Sequence, residues 1–239
     1  ITGTNDSSVI AGIFIGAVDE GDIGDSATTA SGPIAISDVD AGDTPVFLDV
    51  TSTAGNNNYG TFTLANGSWL YTLDENAVQM LDAGATVNDA ITFSATDGSA
   101  QAVTVSITGT NDASVIAGTF IGAVDEGDIG DSATTATGAL VISDVDTGDN
   151  PGFDDVTATL GENGYGTFTL TGGTWLYTLD ESAVQSLGAG ATVTDTITFI
   201  ATDGLAQAVL VTITGTNDPA TVSLIPDRNY IENGGSFTV

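Results

Sequence analysis

The 239-residue chain contains no cysteine, no histidine and no lysine, and Arg228 is its one basic side chain. Each absence removes a class of chemistry. Without His or Cys there is no Ser-His-Asp triad, no thiol nucleophile, no zinc site of the usual kind and no disulfide framework. Without lysine there is no phosphate-cradling loop of the P-loop type. Against that single Arg stand 32 acidic side chains, for a formal charge of −31. Such a chain repels nucleic acid and anionic lipid surfaces, so neither is an expected partner. No apolar run approaches the roughly 18 residues of a membrane span, and no insertion into a membrane is expected. What remains is oxygen chemistry, from carboxylates, amides, hydroxyls and backbone carbonyls. Those ligands suit hard cations, and Ca²⁺ is the expected cofactor.

The chain is not short of core material. Hydrophobic residues make up 41% of it, mostly Val, Ile, Leu and Ala interleaved with Thr and Ser. That composition favours strands over disorder. The string I-T-G-T-N-D begins at Ile1, Ile107 and Ile213, 106 residues apart both times. Between these marks the two copies align without a gap, and about three quarters of the positions are identical. A period of this length fits whole domains rather than solenoid turns. The expected organisation is the end of a preceding linker over 1–6, a first repeat over 7–112, a second over 113–218, and the first strand of a truncated third over 219–239. Glu232 falls one 106-residue period after Glu126, and Val222 lies one residue past the register of Val115.

Hydrophobic alternation gives about seven short strands per repeat. Thr61–Leu64 and Trp69–Leu73 flank Asn66-Gly67, a hairpin signal, and the second copy carries Gly172-Gly173 at the same place. Strands are also expected over Ser8–Val18, Ile34–Ser37, Val46–Thr53, Ala90–Ala95 and Ala102–Ile107. Only Glu75–Leu81 offers a helical turn. This pattern predicts tandem all-β, Greek-key β-sandwiches of Ig-like or cadherin-like kind. Trp69 and Trp175 are expected in the core, with sugar stacking as the sharper alternative.

The carboxylates recur in register between copies, at strand ends and loops: Asp38/Asp144, Asp40/Asp146, Asp43/Asp149, Asp74/Asp180, Glu75/Glu181 and Asp97/Asp203 among them. In a sandwich the loops gather at two poles. Tandem domains bring the bottom pole of one to the top pole of the next, where such groups converge. Two like charges about 4 Å apart repel by roughly 4 kcal/mol at an effective dielectric of 20. With no lysine to offset them, a cation is the expected counter-charge.

Several motifs resemble a known family. Ala95-Thr96-Asp97-Gly98 followed by Thr110-Asn111-Asp112 is similar to the A-x-D-x-G and D-x-N-D-N that end a cadherin domain. Ser37-Asp38-Val39-Asp40 resembles the cadherin D-x-D, Val18-Asp19-Glu20 its early glutamate, and Leu73-Asp74-Glu75 its L-D-R-E without the arginine. A closer resemblance is to VCBS-type, cadherin-like repeats of giant bacterial RTX adhesins. Their I-T-G-T-N-D, S-D-V-D, Y-G-T-F-T-L, W-x-Y-T-L-D and A-T-D-G all stand here in order, across both full copies.

This resemblance implies a Ca²⁺ site at the first-to-second junction, held by Glu20, Asp74, Glu75, Asn111, Asp112, Asp144, Asp146 and Asp203. It implies a partial site at the second-to-third junction, from Glu126, Asp180, Glu181, Asn217 and Asp218. It places Asp38, Asp40 and Asp97 at an N-terminal pole that faces a missing domain. Gly109 and Ala113 depart from the cadherin linker, and Asp74 and Glu75 are adjacent rather than two apart, so one or two ions per junction are expected. Asp43 and Asp149, one short step past each D-x-D, are candidate ligands of a site within the domain, and Asp22 and Asp25 are equally open.

The implied function is that of extender repeats in a secreted bacterial cell-surface adhesin of biofilm type, exported by type I secretion. Interdomain calcium would stiffen the array and project a distal adhesive domain. The alternative is an adhesion module that recognises glycans or other copies of itself. An enzyme is not expected, since no acid pair is singled out. The expected partners are neighbouring repeats and calcium ions, and the chain is expected to be monomeric.

Overall fold

The computed structural model of the chain describes residues 3–22, 24–128 and 130–220. Of the segment expected to begin a third repeat, everything from 221 on, with Val222 and Glu232, lies outside the described residues, as does Arg228.

The first repeat folds into eight strands: β1 (Val9–Gly12), β2 (Ile15–Asp19), β3 (Thr29–Ser37), β4 (Val50–Ala54), β5 (Gly60–Ala65), β6 (Ser68–Leu73), β7 (Thr86–Ser94) and β8 (Ala100–Thr108). They form a five-stranded sheet in the order β1-β3-β6-β5-β4 and a three-stranded sheet in the order β2-β8-β7. Only β2 and β8 run parallel; the other described pairs are antiparallel. The second repeat copies this with β9 (Val115–Gly118), β10 (Ile121–Asp125), β11 (Thr135–Ser143), β12 (Val156–Leu160), β13 (Gly166–Thr171), β14 (Thr174–Leu179), β15 (Thr192–Ile200) and β16 (Ala206–Thr214). Its sheets run β12-β13-β14-β11-β9 and β10-β16-β15. The fold is all-β, as the alternation of the sequence requires.

Side chains alternate in and out along each strand, so the inward set of both sheets makes the core. Along β6, Trp69, Tyr71 and Leu73 point in and Leu70 points out. They meet Phe62 and Leu64 of β5 on the same sheet, and Phe93, Val103, Val105 and Ile107 of the opposite one. Trp69 and Trp175 are fully buried, each donating its indole N–H to a backbone carbonyl, of Ile13 and Thr119 respectively, at 2.7 Å. The core role expected of both tryptophans holds, and neither presents a face for sugar stacking.

One expected element divides. Ser8–Val18 reads as a single strand, but β1 joins one sheet and β2 the other. The switch lies at a single peptide. Ile13 N–H donates to Pro33 O in the first sheet, and Phe14 O accepts from Thr104 N–H in the second, at 2.8 and 2.9 Å. Gly12, with φ of +148°, makes this crossing possible, because a Cβ there would overlap the carbonyl of Pro33. The expected hairpin is present: Ala65 pairs with Ser68 across Asn66-Gly67, whose φ values of 52° and 72° are those of a type I′ turn. The expected helical turn is a short 3₁₀ segment, Glu75–Ala77, and in the second repeat the four-residue α1, Glu181–Val184.

Two compact units are present. The first holds the first repeat through Ala117 together with Leu140–Phe153 and Ile200–Ala206. The second holds Gly118–Ala139, Asp154–Phe199 and the described residues from Gln207 on. The loops carrying Asp144, Asp146, Asp149 and Asp203 therefore pack in the first unit.

Candidate metal centre

Within the first unit, the end of β2, the segment after β8 and the loop after β11 bring carboxylates together. Glu20 follows β2 directly and is 3% exposed. Its Oε2 accepts from Thr110 N–H and its Oε1 from Gln79 Nε2, both at 3.2 Å. Asp112 is 6% exposed, and its backbone N–H donates to Asp146 Oδ2 at 2.9 Å. Asp146 is 3% exposed. Asp144 accepts from Asp146 N–H through Oδ1 at 2.9 Å and from the Ser114 hydroxyl through Oδ2 at 2.7 Å.

These bonds leave atoms over. Asp112 Oδ2 and Asp146 Oδ1 are buried with no hydrogen-bond partner. A buried carboxylate oxygen without a partner is costly, because its lost hydration is not replaced. Both lie in a field of like charge. Burial, and then the charges of Asp112, Asp146 and Glu75, push the Glu20 carboxyl up to about 7, against the lowering effect of Thr110 N–H. Burial first, then Asp146, Asp22 and Asp144, raise Asp112. One carboxylate oxygen each from Asp144, Asp146 and Asp149 lie within 4.8 Å of one another. Oxygens on opposite sides of a Ca²⁺, each about 2.3–2.6 Å from it, are about 5 Å apart. This donor set fits a hard cation in both chemistry and spacing.

The remaining expected ligands fall into different environments. Glu75 is buried, but both its oxygens accept backbone N–H bonds, from Gly21 at 3.1 Å and Thr28 at 2.9 Å. It ties Gly21 and Thr28 to the start of the 3₁₀ turn. Asp74 is exposed and caps the 3₁₀ turn through Asn76 N–H. Asn111 is exposed and donates to Asp112 O. Asp203 is exposed, and the Leu205 N–H and then the Ser114 hydroxyl hold its carboxyl below the usual range.

The N-terminal pole repeats the pattern with less cover. Asp38, Asp40 and Asp43 cluster as their counterparts do, but Asp40 is only half-buried. Asp6 N–H donates to Asp40 Oδ2 at 2.7 Å, and the Ser8 hydroxyl donates to Asp38 and Asp97. That hydroxyl, and then the Ser99 N–H, lower the Asp97 carboxyl.

In the second unit, Glu126 is buried with Oε1 unpartnered, while Oε2 accepts from Thr216 N–H at 3.1 Å. Glu181 repeats the role of Glu75, accepting from Gly127 and Thr134 N–H. Asp180, Asn217 and Asp218 are exposed.

Three features escape the sequence pattern. Asp149 joins Asp144 and Asp146, and Asp22 acts on Asp112, though both read as open cases from spacing alone. Asp25 N–H closes a turn onto Asp22 O at 3.0 Å. Asp89 and Asp195 are fully buried in mid-strand and serve the fold. Asp89 accepts from the N–H of Asn57, Tyr59 and Ala90 and from the Tyr71 hydroxyl, at 2.9 to 3.3 Å.

No family model and no curated protein sequence matches the chain. Among solved structures, it is similar to the human desmocollin-1 ectodomain at 11% identity and a TM-score of 0.37, over 86% of this chain and 41% of that one. It is similar to mouse cadherin-23 repeats EC22–24 at 15% identity and a TM-score of 0.41, over 89% and 67%. It is also similar to a protein of unknown function from Porphyromonas gingivalis at 12% identity and a TM-score of 0.28, over 87% and 99%. The chain thus spans less than half the length of the desmocollin-1 ectodomain that it matches.

Proposed function

We propose that this chain is a pair of extender repeats of an extracellular adhesion protein of the bacterial RTX type, whose junctions bind calcium. The observation that carries the reading is the pair of buried, unpartnered oxygens, Asp112 Oδ2 and Asp146 Oδ1, in a site with no cationic side chain among the described residues. Asp112, Asp144, Asp146 and Asp149 would hold the ion, with Glu20 and Asp22 beside them. Bound Ca²⁺ supplies the positive charge that lets these groups stay ionised together. An ion that binds only the assembled site stabilises it by about 2.7 kcal/mol at a hundredfold excess over its dissociation constant. The extender role follows from the two gapless copies and from the lack of a recognition surface that differs in aromatic content between them. No described helix is long and apolar enough to cross a membrane.

Small-angle scattering and calorimetry during a Ca²⁺ titration, begun in chelator, test this. The expected result is saturable binding together with a narrowing of the interatomic distance distribution. Asp146→Asn is expected to weaken binding at least tenfold. An unchanged profile with no heat of binding would leave the carboxylates a role in solubility alone and reopen the binding-module reading.

A further inference from the structure

The two repeats differ at about a quarter of their positions, and two of those differences meet. Asp82 of the first repeat is Gly188 in the second, and Thr147 of the second is Ala41 in the first. Within the first unit, Asp82 Oδ1 accepts the N–H of Gly148, and the Thr147 hydroxyl donates to Met80 O at 2.8 Å. Thr147 N–H also donates to Met80 O, at 3.2 Å. Of these three bonds, only the last would survive if the residues of the other copy stood at each side. Gly188 has no carboxylate to offer, and Ala41 has no hydroxyl.

The glycine of the acidic loop differs in conformation as well. Gly42, in the first repeat, has φ of +114°, whereas Gly148 lies outside the left-handed region. There its N–H reaches Asp82, and a Cβ on it would overlap that carboxylate. The same six-residue loop thus takes two backbone forms, and the form that meets Asp82 is the one carrying Thr147.

We infer that Met80–Asp82 is a recognition surface for the Thr147-Gly148 loop of the repeat that follows it, so that adjacent repeats are matched by direct hydrogen bonds and are not interchangeable. The partner is a second repeat of this kind whose acidic loop carries Thr-Gly. An Ala-Gly loop keeps the glycine but forfeits the hydroxyl bond. None of the atoms in these bonds belongs to the carboxylates assigned to the ion.

The test is amide exchange of Gly148, followed by NMR on the full chain in chelator and in saturating Ca²⁺. Asp82→Gly, which installs the residue of the other copy, is expected to speed Gly148 exchange about tenfold in chelator, the worth of a hydrogen bond to a charged acceptor. Asp82→Asn keeps an acceptor oxygen and is expected to restore most of the protection. The Val105 amide in the core should exchange as in the parent, which reports that the variants are folded. If Ca²⁺ binding proves absent while Asp82→Gly still frees Gly148, the calcium reading falls and the matching stands. If Asp82→Gly weakens Ca²⁺ binding and leaves Gly148 exchange unchanged in both buffers, Asp82 is an ion ligand and the matching is wrong.

Discussion

Asp89 lies in the middle of β7, where a carboxylate is least expected, and satisfies three backbone N–H groups and a tyrosine hydroxyl. Gly55 packs against it so closely that a Cβ there would overlap the carboxylate. Gly55→Ala is therefore expected to cost at least about 2 kcal/mol, read by urea unfolding. Glu20 makes a different prediction. Its carboxyl titrates near 7 in the folded chain without metal and near 4.5 when unfolded. Between those values the folded state holds more protons, so stability from this group is full below about pH 4.5 and falls as pH rises to about 7. Asp112 and Asp149 are raised too, Asp149 by loss of surrounding water and by Asp144, Asp146, Asp82 and Asp203, and so add in the same direction. In chelator the chain is expected to melt higher at pH 5 than at pH 7.5. Saturating Ca²⁺ should remove or reverse that order in calorimetric scans, because the ion favours the ionised form.

At the scale of elements, the sheet-to-sheet crossing at Ile13-Phe14 determines whether the sandwich closes. Three features hold it: Gly12, the paired backbone bonds to Pro33 and Thr104, and the Trp69 indole N–H on Ile13 O. Trp69→Phe keeps most of the core volume and loses that bond, leaving the Ile13 carbonyl unpaired. The expected loss is about 1–3 kcal/mol, with faster exchange of the Thr104 amide as the local readout. If Thr104 exchange is unchanged, the indole fills space and does not hold the crossing. The β5–β6 hairpin needs no such support. Its Asn66-Gly67 turn is set by local chemistry, and the Gly172-Gly173 of the second copy reaches the same register.

At the scale of the whole molecule, the two acidic poles provide an internal comparison. Asp40 and Asp146 stand at the same place in the two copies, yet only Asp146 is buried and carries an unpartnered oxygen. Asp40→Asn is thus expected to change Ca²⁺ affinity by less than about threefold, against at least tenfold for Asp146→Asn. Isothermal calorimetry on the two variants makes the comparison, and equal losses would mean that both poles bind alike. A carboxylate covered by the rest of its unit has lost its water and gains most from an ion.

Much of this was determined locally. Strand alternation, the Asn-Gly turn, the 106-residue period and the recurrence of Asp38 and Asp144 depend on neighbours in sequence, and the inward face of β6 was legible as Trp69, Tyr71 and Leu73. Other features were decided by groups distant in the chain. Asp89 and Asp146 look alike as letters, but one meets backbone N–H groups across a core and the other meets Asp112, 34 residues away. The division of Ser8–Val18 depends on Pro33 and Thr104, and the pairing of Asp82 with Gly148 spans 66 residues. Sequence determines which groups carry charge and which strands form. Tertiary structure alone decides which carboxylates lose water and find no partner, because burial and hydrogen bonding depend on what the fold brings alongside.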